Sequence, residues 1–199
     1  MLRAVVVIAV IVVALLQGGS LRHFATLRLR WPVLALAAIG LQLVIFTPVG
    51  AAPLPPDTIP VLYLLSMGVL IIWVAANRHI PGMMLMAAGL LLNTVAIAAN
   101  GGAMPVSPAS AAYAGRIVQY SGGERPMANN SWATDTAQLW LLTDILAVPA
   151  WVPFANVFSI GDVVLTLGVC WLCYRTVRGA HADTPAASYP ERIVTDEQH

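Results

Sequence analysis

Five apolar segments separated by polar turns dominate the hydrophobic pattern of the chain. They cover residues 4–19, 32–49, 60–76, 83–99 and 158–174. A helix needs roughly 17–25 apolar residues to cross a bilayer, so each segment is a candidate span. The pattern predicts an all-α fold, a polytopic transmembrane helix bundle of about five spans forming one domain over residues 1–179. The tail, residues 180–199, is expected to be disordered because it combines prolines with scattered charge.

The connection between the fourth and fifth segments, residues 100–157, is too long for a simple turn. Within it, residues 135–148 are predicted to form a helix, because Asp135 can act as the N-cap and Pro149 stops the helix. Fourteen residues reach only about 21 Å, against a hydrocarbon core of about 30 Å. We therefore expect an interfacial helix in a long outer loop, and not a sixth span.

The arginines predict the orientation of the bundle. Seven of the ten lie in the loop after the first span, in the loop after the third span and in the tail: Arg22, Arg28, Arg30, Arg78, Arg175, Arg178 and Arg192. Short loops that carry arginine stay in the cytoplasm. The N-terminus is therefore expected outside and the C-terminal tail inside.

Composition narrows the possible activities. The chain is 59% hydrophobic and 10% charged, whereas a soluble domain is about 25% charged. A net charge of +1 offers no basic surface for nucleic acid, and the absence of lysine excludes lysine-based catalysis. Cys170 and Cys173 lie three residues apart on the fifth span without a second pair of ligands, so no metal site and no cofactor are predicted.

Three uncharged polar residues lie inside the predicted spans, namely Gln42, Asn93 and Thr94. Side chains of this kind commonly form hydrogen bonds between membrane helices, and we expect that role here. No charged residue lies inside spans one to four, which disfavours a pump or an ion transporter.

Two aspartates on the predicted outer side, Asp144 and Asp162, are the candidates for chemistry. Two carboxylates that share a proton can serve as base toward water and as acid toward a substrate carbonyl. A second interpretation applies to Asp162, because Ser159-x-x-Asp162 also fits a capping box at the start of the fifth span. The sequence leaves both interpretations open.

Residues 141–169 resemble the last third of lipoprotein signal peptidase, an aspartyl peptidase of bacterial lipoprotein maturation. One aspartate motif of that family falls on Asp144. Its final-span motif, aromatic-Asn-x-Ala-Asp, falls on residues 158–162, with Ser and Gly in place of the Asn and Ala. The resemblance implies that Asp144 and Asp162 form a catalytic dyad, that Asn100 and Ser159 bind substrate, and that the substrate is a peptide or lipoprotein.

The whole chain resembles a family of uncharacterised bacterial membrane proteins. The shared features are Gly-Gly after the first span, Gly-Gly-x-Met-Pro after the fourth, and a final Phe-Ser-x-Gly-Asp. Here they are Gly18-Gly19, residues 101–105 and residues 158–162. This resemblance implies a multi-pass protein of the bacterial plasma membrane.

Two functions follow from these observations. The favoured one is a structural or binding protein that uses residues 100–157 to hold a membrane lipid, a peptide or a partner membrane subunit. The alternative is an intramembrane aspartyl hydrolase with Asp144 and Asp162 as its dyad. The first is favoured because the first-span aspartate and lysine of the signal peptidase, and its Gly-Asn-x-x-Asp-Arg motif, have no counterpart in this chain.

Overall fold

The computed structural model describes residues 2–47, 50, 53–55, 57–115, 130–132 and 137–179. Most of these residues are helical, as predicted. The helices are α1 (Leu2–Leu16), α2 (Pro32–Ile45), α3 (Thr58–Ala76), α4 (Met83–Ala99), α5 (Pro108–Tyr113) and α6 (Ile160–Val177). Each of the five predicted apolar segments forms one of the long helices. The predicted tail, 180–199, lies outside the described residues.

Short strands and turns make up a cap next to the end of α4 and the start of α6. Strands β1 (Met104–Val106) and β2 (Asn130–Trp132) pair in parallel. Strands β3 (Leu146–Ala147) and β4 (Val157–Phe158) pair in antiparallel fashion, so that β4 leads directly into α6. A 3-10 turn, Trp140–Leu142, lies between the two small sheets in the chain.

The predicted interfacial helix over 135–148 is wrong for the residues of that segment that the structure describes. The backbone N–H of Asp144 donates to the carbonyl of Pro105 at 3.0 Å, and its carbonyl accepts from the N–H of Ser107 at 3.1 Å. These bonds attach the segment to β1. They use backbone groups that an α-helix would have paired internally.

The closest helix pair is α4 with α6, which run in opposite directions. Glycines allow their backbones to approach. A Cβ at Gly89 would lie 2.5 Å from the backbone nitrogen of Leu165, and one at Gly168 would lie 2.7 Å from that of Met86. Small residues at such crossings are typical of helices that associate by close packing.

Helix α1 runs parallel to α6 and contacts it near both of its ends. At one end, Arg3 forms an ion pair with Asp162. At the other, the hydroxyl of Tyr174 donates to Gln17 Oε1 at 2.8 Å, and the N–H of Ser20 donates to the carbonyl of Val177 at 2.8 Å. We call the first end of the bundle the Asp162 end and the second the arginine end.

Charge is divided between the two ends. The arginine end carries the six described arginines of the loops and of the last turn of α6, namely Arg22, Arg28, Arg30, Arg78, Arg175 and Arg178. The carboxylates of the described residues all lie toward the other end, at Asp57, Asp144 and Asp162. The described arginines of the loops therefore lie at one end of the bundle, and the described carboxylates lie toward the other.

Two apolar clusters form the core. One lies toward the Asp162 end around Ile45, Tyr63 and Ile97, and the other lies toward the arginine end around Val74 and Met83. Helices α3 and α6 are long and apolar enough to cross a membrane, whereas α1, α2 and α4 are shorter apolar helices.

Candidate functional site

Asp162 lies in the first turn of α6, where the predicted capping box is confirmed. The Ser159 hydroxyl accepts from the N–H of Asp162 at 3.0 Å, and Asp162 Oδ2 accepts from the N–H of Ser159 at 3.4 Å. Ser159 has the extended backbone of an N-cap, φ −95° and ψ 168°. Two N–H groups that the helix leaves unpaired are satisfied in this way.

Asn93, from the middle of α4, connects the two residues of the capping box. Its Nδ2 donates to Asp162 Oδ1 at 2.9 Å, and its Oδ1 accepts from the Ser159 hydroxyl at 2.8 Å. Gly161 makes this approach possible, since a Cβ there would lie 1.9 Å from Asn93 Oδ1. The prediction that Asn93 hydrogen-bonds between helices is confirmed.

Arg3 supplies a cation to the same carboxylate. Its Nη1 donates to Asp162 Oδ1 at 2.9 Å, and its Nη2 lies 2.9 Å from Oδ2, which is the two-pronged geometry of a strong Arg–carboxylate pair. The Arg3 side chain is 48% exposed, whereas that of Asp162 is 12% exposed. The sequence did not predict this pair, although the predicted topology placed Arg3, just before the first span, and Asp162, near the start of the fifth span, at the same membrane face.

We call Arg3, Asn93, Ser159 and Asp162 the Asp162 cluster. It joins α1, α4 and the start of α6. The Asp162 carboxylate accepts from two guanidinium nitrogens, one side-chain amide and one backbone N–H. A carboxylate has about four lone-pair sites, so this one has no site left to activate a water molecule while Arg3 stays in place.

Asp144 is buried in the cap and is held there by its backbone. Its two main-chain bonds are those to Pro105 and Ser107. The adjacent Thr143 is fully buried, and its hydroxyl donates to the carbonyl of Trp140 at 2.6 Å. The structure thus brings Ser159 and Asp162 together, as predicted, while the backbone of Asp144 is fixed by β1.

Asn100 fixes the main chain of the cap. Its Nδ2 donates to the carbonyl of Gln138 at 2.9 Å and to that of Ala96 at 2.8 Å, and its Oδ1 accepts from the N–H of Gln138 at 2.9 Å. All of these partners are backbone groups of the protein. Substrate binding by Asn100 stays a prediction.

The Gly-Gly after α4 forms the turn into the cap. Gly101 and Gly102 have φ of +70° and +86°, which glycine adopts at little cost. A Cβ at Gly102 would also lie 2.2 Å from the Cβ of Pro60. The two glycines thus provide the left-handed turn at the end of α4.

In the described part of the chain, no group of three His, Cys, Asp or Glu residues could hold a metal ion. Cys170 and Cys173 are both free thiols on α6.

Comparison with known proteins identifies the family. The model of DUF5317, a family of unknown function, matches residues 26–174. The chain belongs to the DUF5317 family. The predicted resemblance to an uncharacterised family is therefore confirmed. An uncharacterized protein of Thermotoga maritima is 32% identical over 107 residues, which is 53% of this chain and 58% of that relative. No solved structure matches the chain.

The family match includes three residues of the Asp162 cluster and excludes the fourth. Asn93, Ser159 and Asp162 lie within residues 26–174, whereas Arg3 on α1 precedes them. The chain spans a little more than half the length of the Thermotoga relative. Neither match carries an activity, so any function has to be inferred from the residues themselves.

Proposed function

We propose that this DUF5317 member is an integral protein of the bacterial plasma membrane with five spans and a structural or binding role. The proposal rests on where the side chains lie, with apolar ones on the outside of the bundle and polar ones inside it. Leu36, Leu43 and Leu65 are 69%, 65% and 61% exposed on the outer faces of α2 and α3, whereas Asn93 and Asp162 are each 8% exposed inside. Large exposed apolar surfaces are rare on soluble proteins and are expected where lipid surrounds the helices.

The division of charge supports an orientation. The described arginines of the loops gather at the arginine end, away from the described carboxylates. The positive-inside rule places that end in the cytoplasm. The N-terminus, the Asp162 cluster and the cap then face the outside.

The saturated carboxylate of Asp162 favours a structural or binding role over hydrolysis. An acid–base dyad needs a carboxylate that can reach water and substrate. Asp162 is instead occupied by Arg3, Asn93 and the capping box, contacts that join three helices. The cap that follows α4 would then hold a membrane lipid, a peptide or a partner membrane subunit at the outer face.

The alternative, an intramembrane aspartyl peptidase, keeps one supporting observation. Asp144 and Asp162 are both buried, at 6% and 8% exposure, and both lie toward the same end of the bundle. Such an enzyme would have to move the Arg3 guanidinium away from Asp162 during turnover. Cleavage of a membrane-anchored peptide that is lost in both Asp144→Asn and Asp162→Asn, with unchanged protein levels, would establish this alternative.

Labelling of single cysteines in spheroplasts tests the proposed membrane topology. In a background in which Cys170 and Cys173 are alanine, a cysteine replaces either His79 or Ala109, which are exposed at opposite ends. We expect an impermeant maleimide to label Ala109→Cys in intact spheroplasts and His79→Cys only after permeabilisation. The opposite pattern would overturn the orientation, and extraction of the protein by alkaline carbonate would overturn the membrane assignment itself.

A further inference from the structure

A groove of about 730 Å³ opens at the arginine end, between the start of α2, the end of α3 and the start of α4. Its lining residues are Arg30, Trp31, Ala75, Ala76, Arg78 and Met84. The groove lies at the end of the bundle opposite to the Asp162 cluster, and neither the capping box nor the cap contributes a residue to it.

The chemistry of the groove is that of a site for an amphipathic anion. Two arginines, Arg30 and Arg78, line it together with a tryptophan, and alanine and methionine provide the apolar part of the lining. No carboxylate of the described residues lies within ion-pair distance of either guanidinium, since the ion pair among them is Arg3 with Asp162 at the other end. Among the described residues, the positive charge of the groove therefore has no carboxylate partner.

The backbone of Arg30, at the rim of the groove, is held by hydrogen bonds from two side chains of α3 and its C-terminal end. The N–H of Arg30 donates to Asn77 Oδ1 at 2.7 Å, and the carbonyl of Arg30 accepts from Asn77 Nδ2 at 3.2 Å and from Trp73 Nε1 at 2.9 Å. Asn77 is fully buried. A buried amide thus fixes the backbone from which the Arg30 side chain enters the lining of the groove.

The next residue, Trp31, has an unusual backbone. It adopts φ 49° and ψ 51°, the left-handed region that bulky residues rarely enter. Burial of the indole does not account for this, because Trp31 is 63% exposed. Backbone strain of this kind persists where the surroundings impose it and is frequent at binding sites.

We propose that this groove binds an anionic phospholipid of the cytoplasmic leaflet. The lipid phosphate would lie between Arg30 and Arg78, with Trp31 at the headgroup level and an acyl chain against Ala75 and Met84. Basic pockets between membrane helices on the cytoplasmic side suit anionic headgroups, and indoles suit the interface. The inference rests on the proposed function, because it needs the arginine end to face the cytoplasmic leaflet.

Native mass spectrometry of the full chain, delipidated in a neutral detergent, tests the proposal. Phosphatidylglycerol and phosphatidylcholine are added at equal concentrations. We expect one phosphatidylglycerol to be retained in preference to phosphatidylcholine. Arg30→Gln and Arg78→Gln should each weaken its binding about fivefold, the effect of one arginine near a charged headgroup. Arg22→Gln removes the same charge at the same end but outside the groove, and should leave the retained phosphatidylglycerol unchanged.

Three outcomes would overturn the proposal. Equal retention of both lipids would show that the groove does not select an anion. An equal loss in Arg22→Gln would show diffuse attraction by the whole end. Displacement of the lipid by excess inorganic phosphate would show a site for a soluble anion. Circular dichroism of each variant checks that the helices persist. The hydrogen bonds between Asn77 and residue 30 should survive Arg30→Gln because they use only the backbone of that residue. Carbonate extraction separately tests the membrane assignment, so a failure of lipid selection in a protein that resists extraction counts against the groove alone.

Discussion

The ion pair between Arg3 and Asp162 should respond unequally to the loss of its two partners. Asp162 is buried at the start of α6, whereas nearly half of the Arg3 side chain is exposed. Arg3→Met therefore leaves a charged carboxylate inside the protein without its cation. Asp162→Asn leaves a guanidinium that solvent or lipid headgroups can reach, so it should be the milder change.

The contacts give the size of each effect. Removing one partner from a fully buried pair costs about 3–5 kcal/mol. Asp162 keeps its bonds from Asn93 and Ser159 in Arg3→Met, so we expect that variant to lose about 2–3 kcal/mol of the free energy of unfolding. Asp162→Asn loses an ion pair with a half-exposed cation, about 0.2–1 kcal/mol, and a helix-dipole contribution of about 0.3–1 kcal/mol. One acceptor oxygen also becomes a donating NH2, so the long bond from the N–H of Ser159 is lost, and we expect about 1–1.5 kcal/mol in total.

The double variant tests whether Arg3 balances the buried charge of Asp162. With both charges removed, Arg3→Met combined with Asp162→Asn should be more stable than Arg3→Met alone, by about 1–2 kcal/mol. Unfolding in mixed micelles, followed by the helical circular dichroism signal, measures all four proteins of the cycle. If the two losses simply add, or if Arg3→Met is the milder change, then Asp162 does not depend on Arg3 for its charge balance, and the argument for a saturated carboxylate fails.

Two further substitutions test the contacts around the cluster and the cap. Gly161→Ala should lower the free energy of unfolding by more than about 2 kcal/mol, because the added Cβ would overlap the Asn93 amide. Gly40→Ala is the control in the same unfolding assay. Its Cβ would lie in open space on α2, so the variant should be neutral or more stable by up to about 1 kcal/mol. Asn100→Ala removes two hydrogen bonds to the main chain of Gln138, so hydrogen exchange of the amide at residue 138 should accelerate by about tenfold or more. Unchanged exchange at that amide would show that these two hydrogen bonds do not form in solution.

Much of the fold could be predicted because its signals are local in sequence. The fourth segment was predicted over 83–99 and α4 spans Met83–Ala99. The fifth was predicted over 158–174 and the helix spans Ile160–Val177. The start of α6 follows from Ser159, whose side chain satisfies the first turn and ends the strand before it. A capping box spans four residues, and the sequence alone displays it.

The error over 135–148 and the missed contact of Asn100 both involve residues that are far apart in the chain. The helix predicted over 135–148 had a favourable local pattern, but the backbone of Asp144 is paired with Pro105, thirty-nine residues earlier. Asn100 and Gln138 are thirty-eight residues apart. Local propensity is weak compared with such pairings once the helix ends bring them together. No hydrophobic pattern shows which backbone groups will meet.

The polar residues inside the helices depart from this division, because their contacts between helices were predicted and the error is a local one. Gln42 Nε2 donates to the Ser66 hydroxyl at 3.0 Å, between α2 and α3, as predicted. Thr94 was expected to act in the same way, and this was wrong. Its hydroxyl donates to the carbonyl of Leu90 at 2.7 Å within its own helix. A threonine hydroxyl can reach the preceding turn, whereas the longer amides of Gln42 and Asn93 reach a neighbouring helix.

The Phe-Ser-x-Gly-Asp motif suggested catalysis by its resemblance to a peptidase, and the structure supplies a different reason for its polar and small residues. Ser159 caps α6 and donates to Asn93, Gly161 leaves room for that amide, and Asp162 completes the capping box while pairing with Arg3. These residues together define where α6 starts and how it meets α4 and α1. Catalysis would require one further event, the departure of the Arg3 guanidinium from a buried carboxylate, and that departure carries the cost that the Arg3→Met variant measures.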